Sequence, residues 1–286
     1  MALLTSSQPS GVALSPEERA ALIVEPLERD SLALNTTRVL PTIRDSLQVP
    51  MLTEDVPVDF VAEGAELPQG EPVVNEATLT PRKIAAMTIL SSELAEDSEP
   101  EAVNLIGQSI ARSIRLKLDQ AFLLAASGRL PSPGVLTGGN YTDGGALGEN
   151  LDAISDAITS VETAGGRADV ITMSPATWGR LSKLKVLATD SNQPLLGVGD
   201  SGVNQAQQRT LFGVPVFVDY SVAADVIGVW DSSAVAVAMR RDVKVESDTS
   251  RYFDTDSVAV RATLRADWRV LDPARVVRLD ASTTTA

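Results

Sequence analysis

The sequence predicts an α+β fold built around one long helix, and three observations carry the prediction. Between Glu54 and Glu101, Pro57, Pro68, Pro72 and Pro81 with Gly64 and Gly70 exclude a helix. The alternating runs Val56 to Val61 and Thr78 to Leu90 suit two strands of an extended hairpin arm. After the arm, Val103, Ile106, Ile110, Ile114, Leu118, Ala121, Phe122 and Ala125 recur at helical spacing up to Gly128. Near the end the period changes to two, with Val258, Val260, Ala262, Leu264, Ala266, Trp268 and Val270 alternating with an arginine-rich face.

The elements follow in order. Ser15-Pro16-Glu17-Glu18 is an N-cap, a proline at the first helical position and a capping glutamate, so a short helix is expected to about Ile23. Pro26, Pro41 and Pro50 then break the chain into extended pieces. Ser98-Glu99-Pro100-Glu101 repeats the capping pattern before the long helix, which would span roughly 40 Å at 1.5 Å per residue. Pro131, Pro133 and the glycine-rich run to Gly148 predict a loop, after which a mixed α/β unit begins. In it, Leu151, Ile154, Ile158 and Val161 define an amphipathic helix ended by Gly165-Gly166. Val170 to Met173 is a buried strand, Ser174-Pro175 starts a helix presenting Trp178, Leu181 and Leu184, and Val214 to Val218 and Val226 to Trp230 are neighbouring strands.

Charge and composition exclude much chemistry. The 286 residues contain no cysteine and no histidine, so thiolate, disulfide, Cys-zinc and Ser-His-Asp arrangements are out, and no cofactor is expected. A net charge of −14 argues against gripping nucleic acid through a basic surface. No signal peptide or membrane span is legible, and the expected location is a cytosol, where Asn35-Thr36-Thr37 and Asn140-Tyr141-Thr142 are plain loop residues. The charge is unevenly placed: from Glu54 to Glu101 there are twelve carboxylates against Arg82 and Lys83 alone, whereas Arg240 to Arg278 holds nine bases and seven acids. An acidic arm and a basic strand of opposite sign predict pairing between subunits.

This order of parts resembles the major capsid protein family of tailed bacteriophages, with the Hong Kong 97-type fold. The resemblance is carried most specifically by Val170-Ile171-Thr172-Met173-Ser174-Pro175-Ala176-Thr177-Trp178, by Leu211-Phe212-Gly213-Val214-Pro215-Val216, and by the closing strands from Val258 to Leu279. It implies an N-terminal arm over 1–50, an extended hairpin loop over 51–95, a spine helix and first part of a peripheral domain over 96–148, an axial domain over 149–231, and the peripheral domain's C-terminal strands over 232–286. It also implies a non-enzymatic subunit that assembles in the host bacterial cytoplasm into hexamers and pentamers of an icosahedral virion shell around double-stranded DNA. A portal protein, and separate scaffolding and decoration proteins, are the further partners it implies; no membrane is involved.

Glu63, Glu66 and Glu71 with Arg82 and Lys83 on the arm, and Arg261 and Arg265 on the C-terminal strand, are the candidate intersubunit residues. With some fifty residues ahead of the arm, the scaffolding segment fused to some family members is expected to be missing. Some relatives weld a loop lysine to a neighbour's asparagine. Lys83 lies in the arm, but no asparagine follows Asn204, so a non-covalent shell is expected.

Other motifs fail on context. Gly197-Val198-Gly199-Asp200-Ser201-Gly202 has the letters of a dinucleotide fingerprint without the strand and helix it requires. Ser182 and Lys185 fit S-x-x-K, but the companion elements are missing. Asp254 and Asp256 stop short of a calcium loop. An encapsulin-like nanocompartment enclosing a cargo enzyme is the rival reading within the same fold, and a lysine- or carboxylate-based α/β enzyme the rival outside it.

Overall fold

In the computed structural model the described residues are 31–54, 56–61, 70, 73–91, 100–125, 132–148, 150–184, 209–248 and 250–282. The helices are α1 (Leu32–Asn35), α2 (Pro100–Leu124), α3 (Asp152–Thr163) and α4 (Pro175–Leu181). The strands are β1 (Arg38–Thr42), β2 (Leu47–Glu54), β3 (Val73–Leu79), β4 (Arg82–Ser91), β5 (Thr142–Ala146), β6 (Val170–Met173), β7 (Thr210–Leu211), β8 (Val214–Val218), β9 (Val226–Trp230), β10 (Val235–Asp248), β11 (Ser257–Val270) and β12 (Val276–Asp280). They form a four-stranded sheet in the order β1-β10-β11-β4, a six-stranded sheet in the order β5-β12-β9-β6-β8-β7, and a separate two-stranded ribbon of β2 and β3.

The long helix packs along one face of the four-stranded sheet. Ile110, Ile114, Leu118 and Phe122 recur every four residues and are buried against Val235, Val237 and Met239 of β10 and Ala262, Leu264, Ala266 and Trp268 of β11. At 25 residues α2 is about 37 Å long. Its C-terminal end is closed by the loop that follows: Gly134, Val135 and Leu136 donate N–H groups to the carbonyls of Ala125, Phe122 and Leu123. Gly134 is required there, because a Cβ would fall 2.6 Å from the Leu123 carbonyl oxygen. The loop expected to be a mere connection thus buries Val135 and Leu136 in the main core.

Phe122 ties the two large sheets together. Its ring stands edge-on to Trp230 of β9 at 6.4 Å and to Trp268 of β11 at 6.2 Å. Both indoles satisfy their N–H inside the core, Trp230 donating to the Thr36 carbonyl and Trp268 to the Pro133 carbonyl, each at 3.0 Å. The second core lies where α3 packs on the six-stranded sheet, with Ile154, Ala157 and Val161 against Ile171, Met173, Ile227, Val229, Val277 and Leu279. α4 is capped as its sequence predicts: the Ser174 hydroxyl accepts from Thr177 N–H at 3.1 Å, and Pro175 sits in the first turn.

One expectation needs correction. The hairpin strands are β2 and β3, with Leu47 opposite Leu79 and Leu52 opposite Val74, not Val56 to Val61 with Thr78 to Leu90. Residues 56–61 belong to no strand, and the run from Thr78 is broken at Thr80-Pro81, after which β4 joins the body beside β11. Proline has no N–H for a ladder, and the Thr80 N–H is diverted to the Asp267 carboxylate at 2.6 Å, so the chain turns there. β10 and β11 form a hairpin of two 14-residue strands. β5 and β12 join the six-stranded sheet although both lie outside 149–231.

Candidate assembly surfaces

The four-stranded sheet has one face against α2 and one face away from it. On β4, Ile84 and Ala86 pack on the helix side, so Lys83, Ala85, Met87 and Ile89 point outward. On β11 the same alternation turns Arg261, Thr263 and Arg265 outward. Register then assembles a site from remote sequence: Arg265 stands opposite Lys83 on one side and Arg240 on the other, which sets three cations in a row across three strands. Like charges at strand spacing repel. Asp45, in the turn between β1 and β2, relieves part of this by accepting from Arg240 at 2.6 Å and from Arg265 at 3.4 Å. Arg261 pairs across the hairpin with Glu246.

At its other end this outer face is covered by the root of the ribbon. Leu79 and Val49 bury Ala238 there, with Leu47, Leu40 and Leu271 around them. Asp267 fixes the root. Its carboxylate, 1% exposed, accepts from Thr80 N–H at 2.6 Å and Trp268 N–H at 2.9 Å. Burial pushes its pKa up, against the opposing pull of hydrogen bonds from Thr80, Ser132 and Trp268 and of the Arg269 charge.

Beyond the root the ribbon leaves the body. Val73 and Val74 of β3 are both exposed, so neither face of its outer half is covered. Past the end of β2, Val56, Val58 and Phe60 are 44%, 91% and 103% exposed. Val58 and Phe60 touch essentially nothing of their own subunit, an unusual condition for large apolar side chains.

A second polar junction holds the start of the described chain to the long helix. Asp119 of α2 is fully buried and accepts from the Ser31 hydroxyl at 2.7 Å and from Ala33 N–H at 3.0 Å. Arg115, one turn earlier, bridges Asp119 at 3.3 Å and Asp219 in the segment after β8, and lies over the ring of Tyr220. Burial pushes the Asp119 carboxyl up, outweighing the bonds from Ala33, Ser31 and Leu32 and the Arg115 charge. Asp231, between β9 and β10, goes the other way: partial burial raises it, but donors from Ser233 and Arg167 and the Arg275 charge bring it below the usual carboxylate range.

Of the sequence-derived candidates, the structure brings Lys83 and Arg265 side by side and places Arg261 opposite Met87 on the same face, while Arg82 is exposed at the start of β4. Glu63, Glu66 and Glu71 lie outside the described residues, as do Lys185 and Gly197 to Gly202. Sequence reasoning missed Asp45, Arg240, Glu246 and the Asp119 and Asp267 junctions; the only local hint was an aspartate on the otherwise apolar stripe of α2. Ser182 is exposed and donates to the Gly179 carbonyl. Asp254 and Asp256 occupy an exposed turn. Among the described residues no cluster of three or more carboxylates is placed to hold a metal ion. No helix of the described residues is long and apolar enough to cross a membrane.

A mixed helix-and-strand body with an uncovered ribbon and a cation-rich sheet face fits a structural protein that packs against other subunits. The chain belongs to the phage capsid family, whose model matches residues 11–281. Its fold is that of solved phage capsid chains. A chain from Mycobacterium phage Bobi superposes with a TM-score of 0.70 at 16% identity, covering 99% of this chain and 96% of that one. The capsid of a native GTA particle gives 0.68 at 22% identity with the same coverage, and a chain from Gordonia phage Cozz 0.69 at 14%, covering 88% and 87%. No curated protein sequence matches the chain.

Proposed function

We propose that this protein is the repeating subunit of a closed icosahedral shell that encloses the double-stranded DNA of a tailed bacteriophage. It assembles in the host cytoplasm into hexamers and pentamers and persists as the virion capsid, without enzymatic activity or cofactor. The observation that carries this reading is the ribbon with its apolar tip, whose Val58 and Phe60 are left bare by their own subunit in a chain of the phage capsid family. A monomer gains nothing from such a segment; a shell gains contact area remote from each subunit's core.

In this reading the parts follow the Hong Kong 97-type arrangement: arm over 1–50, extended loop over 51–95, spine and peripheral domain over 96–148 and 232–286, axial domain over 149–231. The loop lies over a neighbour, and its glutamates Glu63, Glu66 and Glu71 face cations drawn from Arg82, Lys83, Arg261 and Arg265. Among the described residues of that face the cations Lys83, Arg240, Arg261 and Arg265 outnumber the carboxylates Asp45 and Glu246, which favours this pairing. Exposed pairs of this kind contribute at most about 1 kcal/mol each, so they fix register while apolar burial supplies affinity. The absence of asparagine after Asn204 supports non-covalent contacts. A net charge of −14 suits a shell filled by a motor through a portal protein, because DNA then slides past rather than adhering.

The test is to express the chain, alone and with its neighbouring genes, and to measure the products by sizing chromatography with light scattering and by electron microscopy. Closed shells or discrete capsomers are expected, running as single-subunit bands after boiling in detergent. A monomer under both conditions overturns the reading, and shells holding a protein cargo in place of nuclease-resistant DNA would transfer it to the nanocompartment class.

A further inference from the structure

Two features left unsatisfied in one subunit fit each other. The first is β4, the outermost strand of the four-stranded sheet over ten residues. Its far side presents backbone N–H and C=O groups, and among the described residues no hydrogen bond other than those to β11 reaches it. Natural edge strands are protected by being short, by proline, by bulges or by charge along their length. β4 has none of these beyond Arg82 and Lys83 at its start, and its outward face carries Met87 and Ile89 at 55% and 48% exposure. Such an edge remains soluble in a finished protein only if something covers it.

The second feature is the segment 56–61, Val-Pro-Val-Asp-Phe-Val. It lies in no strand, and its one hydrogen bond among the described residues runs from Phe60 N–H to the adjacent Asp59 carboxylate at 2.8 Å. Val56, Val58 and Phe60 recur at the spacing of two that gives a strand one apolar face. It is a strand's pattern without a sheet. Pro57 restricts it to an edge position, with the missing N–H turned away from the ladder.

We propose that residues 56–61 of one subunit add as a strand to the free edge of β4 in a second copy of this chain, which sets Val58 and Phe60 beside Met87 and Ile89. The idea rests on the shell reading above and specifies its contact. Charge favours the same match: Glu54, Asp55, Glu63 and Glu66 flank the segment in sequence, and the receiving face carries Lys83, Arg261 and Arg265. The contact is also heterologous, each subunit donating one strand and accepting one, which is the kind of contact that closes into rings. Backbone ladder bonds supply affinity that depends little on side-chain identity, while alternate side chains fix the register.

The absence of cysteine makes the test direct. Three double variants of the full chain, Val58→Cys with Met87→Cys, Val58→Cys with Ile89→Cys, and Phe60→Cys with Met87→Cys, are assembled under reducing conditions and then oxidised mildly. All four positions are exposed, so folding is not at stake. Facing residues of paired strands sit within disulfide reach, whereas residues one register away on the same face do not. The expected result is a ladder of disulfide-joined subunits on a non-reducing gel for at least one pair, and none for a Val58→Cys, Ser182→Cys control. Shells that form normally while all three pairs stay monomeric on the gel would overturn strand addition and leave the shell reading standing. If the unaltered chain forms no multimer at all, the shell reading falls and this inference falls with it.

Discussion

The core around Phe122 and the ribbon tip around Phe60 hold the same residue type under opposite conditions. Phe122 is fully buried between two tryptophans whose indole N–H groups are both satisfied. Phe60 is 103% exposed beside Val58 at 91%. The difference separates two jobs within one chain: the first phenylalanine stabilises the subunit, and the second contributes only when another subunit arrives. Substitutions ranked by their effect on subunit stability should therefore rank in a different order for assembly.

The largest loss of stability is expected for Phe122→Ala. It removes the contact between the two large sheets and leaves a cavity, a change that costs about 3 to 5 kcal/mol. Urea denaturation of the assembly-incompetent subunit measures it, and a loss below 1 kcal/mol would mean the two sheets are held together elsewhere.

Asp119→Ala comes next, at about 2 to 4 kcal/mol, because Ser31, Ala33 and Arg115 would all lose their buried acceptor. Its pH dependence has a definite sign. Burial raises the Asp119 and Asp267 carboxyls, so the folded state holds those protons more tightly than the unfolded chain does. Their contribution is fully present below the ordinary carboxylate value and is lost as pH rises from there through the raised folded values. Asp119→Asn, which cannot ionise, should lack its share of that decline. Parallel stability curves for wild type and Asp119→Asn across the acid range would contradict the assignment.

What could be read in advance divides along the same line between local and remote. α2, the β6 to α4 unit and β11 were legible because each announces itself within its own residues: a four-residue apolar stripe, a serine cap before proline, a period of two. The hairpin register was not, since Leu47 to Glu54 looks unremarkable until Val73 to Leu79 is known to lie beside it. β10 was hidden by the irregularity between Arg240 and Lys244, which shifts its register against β11 and interrupts the alternation. Arg261, Arg265 and Lys83 could be named individually from charge. Their union with Arg240 and Asp45 is a product of sheet order, which brings positions 45, 83, 240 and 265 to one face and has no local signature.

Arg265→Glu tests that face at small cost to the fold. Its link to Asp45 is long and largely exposed, so the subunit should change by no more than about 1 kcal/mol in stability. Replacing a cation between Lys83 and Arg240 by a carboxylate should nonetheless impair assembly, because it sets a like charge against the acidic arm. Normal shells from a soluble Arg265→Glu subunit would remove this face from the interface.

The smallest effect on the subunit, and the sharpest on the shell, belongs to Phe60→Ser. The side chain is solvated on all sides, so the substitution deletes no intrasubunit contact, and the denaturation midpoint should be unchanged. In a shell the same ring would be buried once per subunit. Losing its roughly 1.5 to 3 kcal/mol of apolar burial at every contact compounds over a particle, raising the protein concentration needed for assembly by an order of magnitude or more. Light scattering against subunit concentration reads that threshold directly. If Phe60→Ser and wild type assemble at the same concentration, the exposed tip is not what joins the subunits, and the contrast between the two phenylalanines reduces to one buried ring and one incidental one.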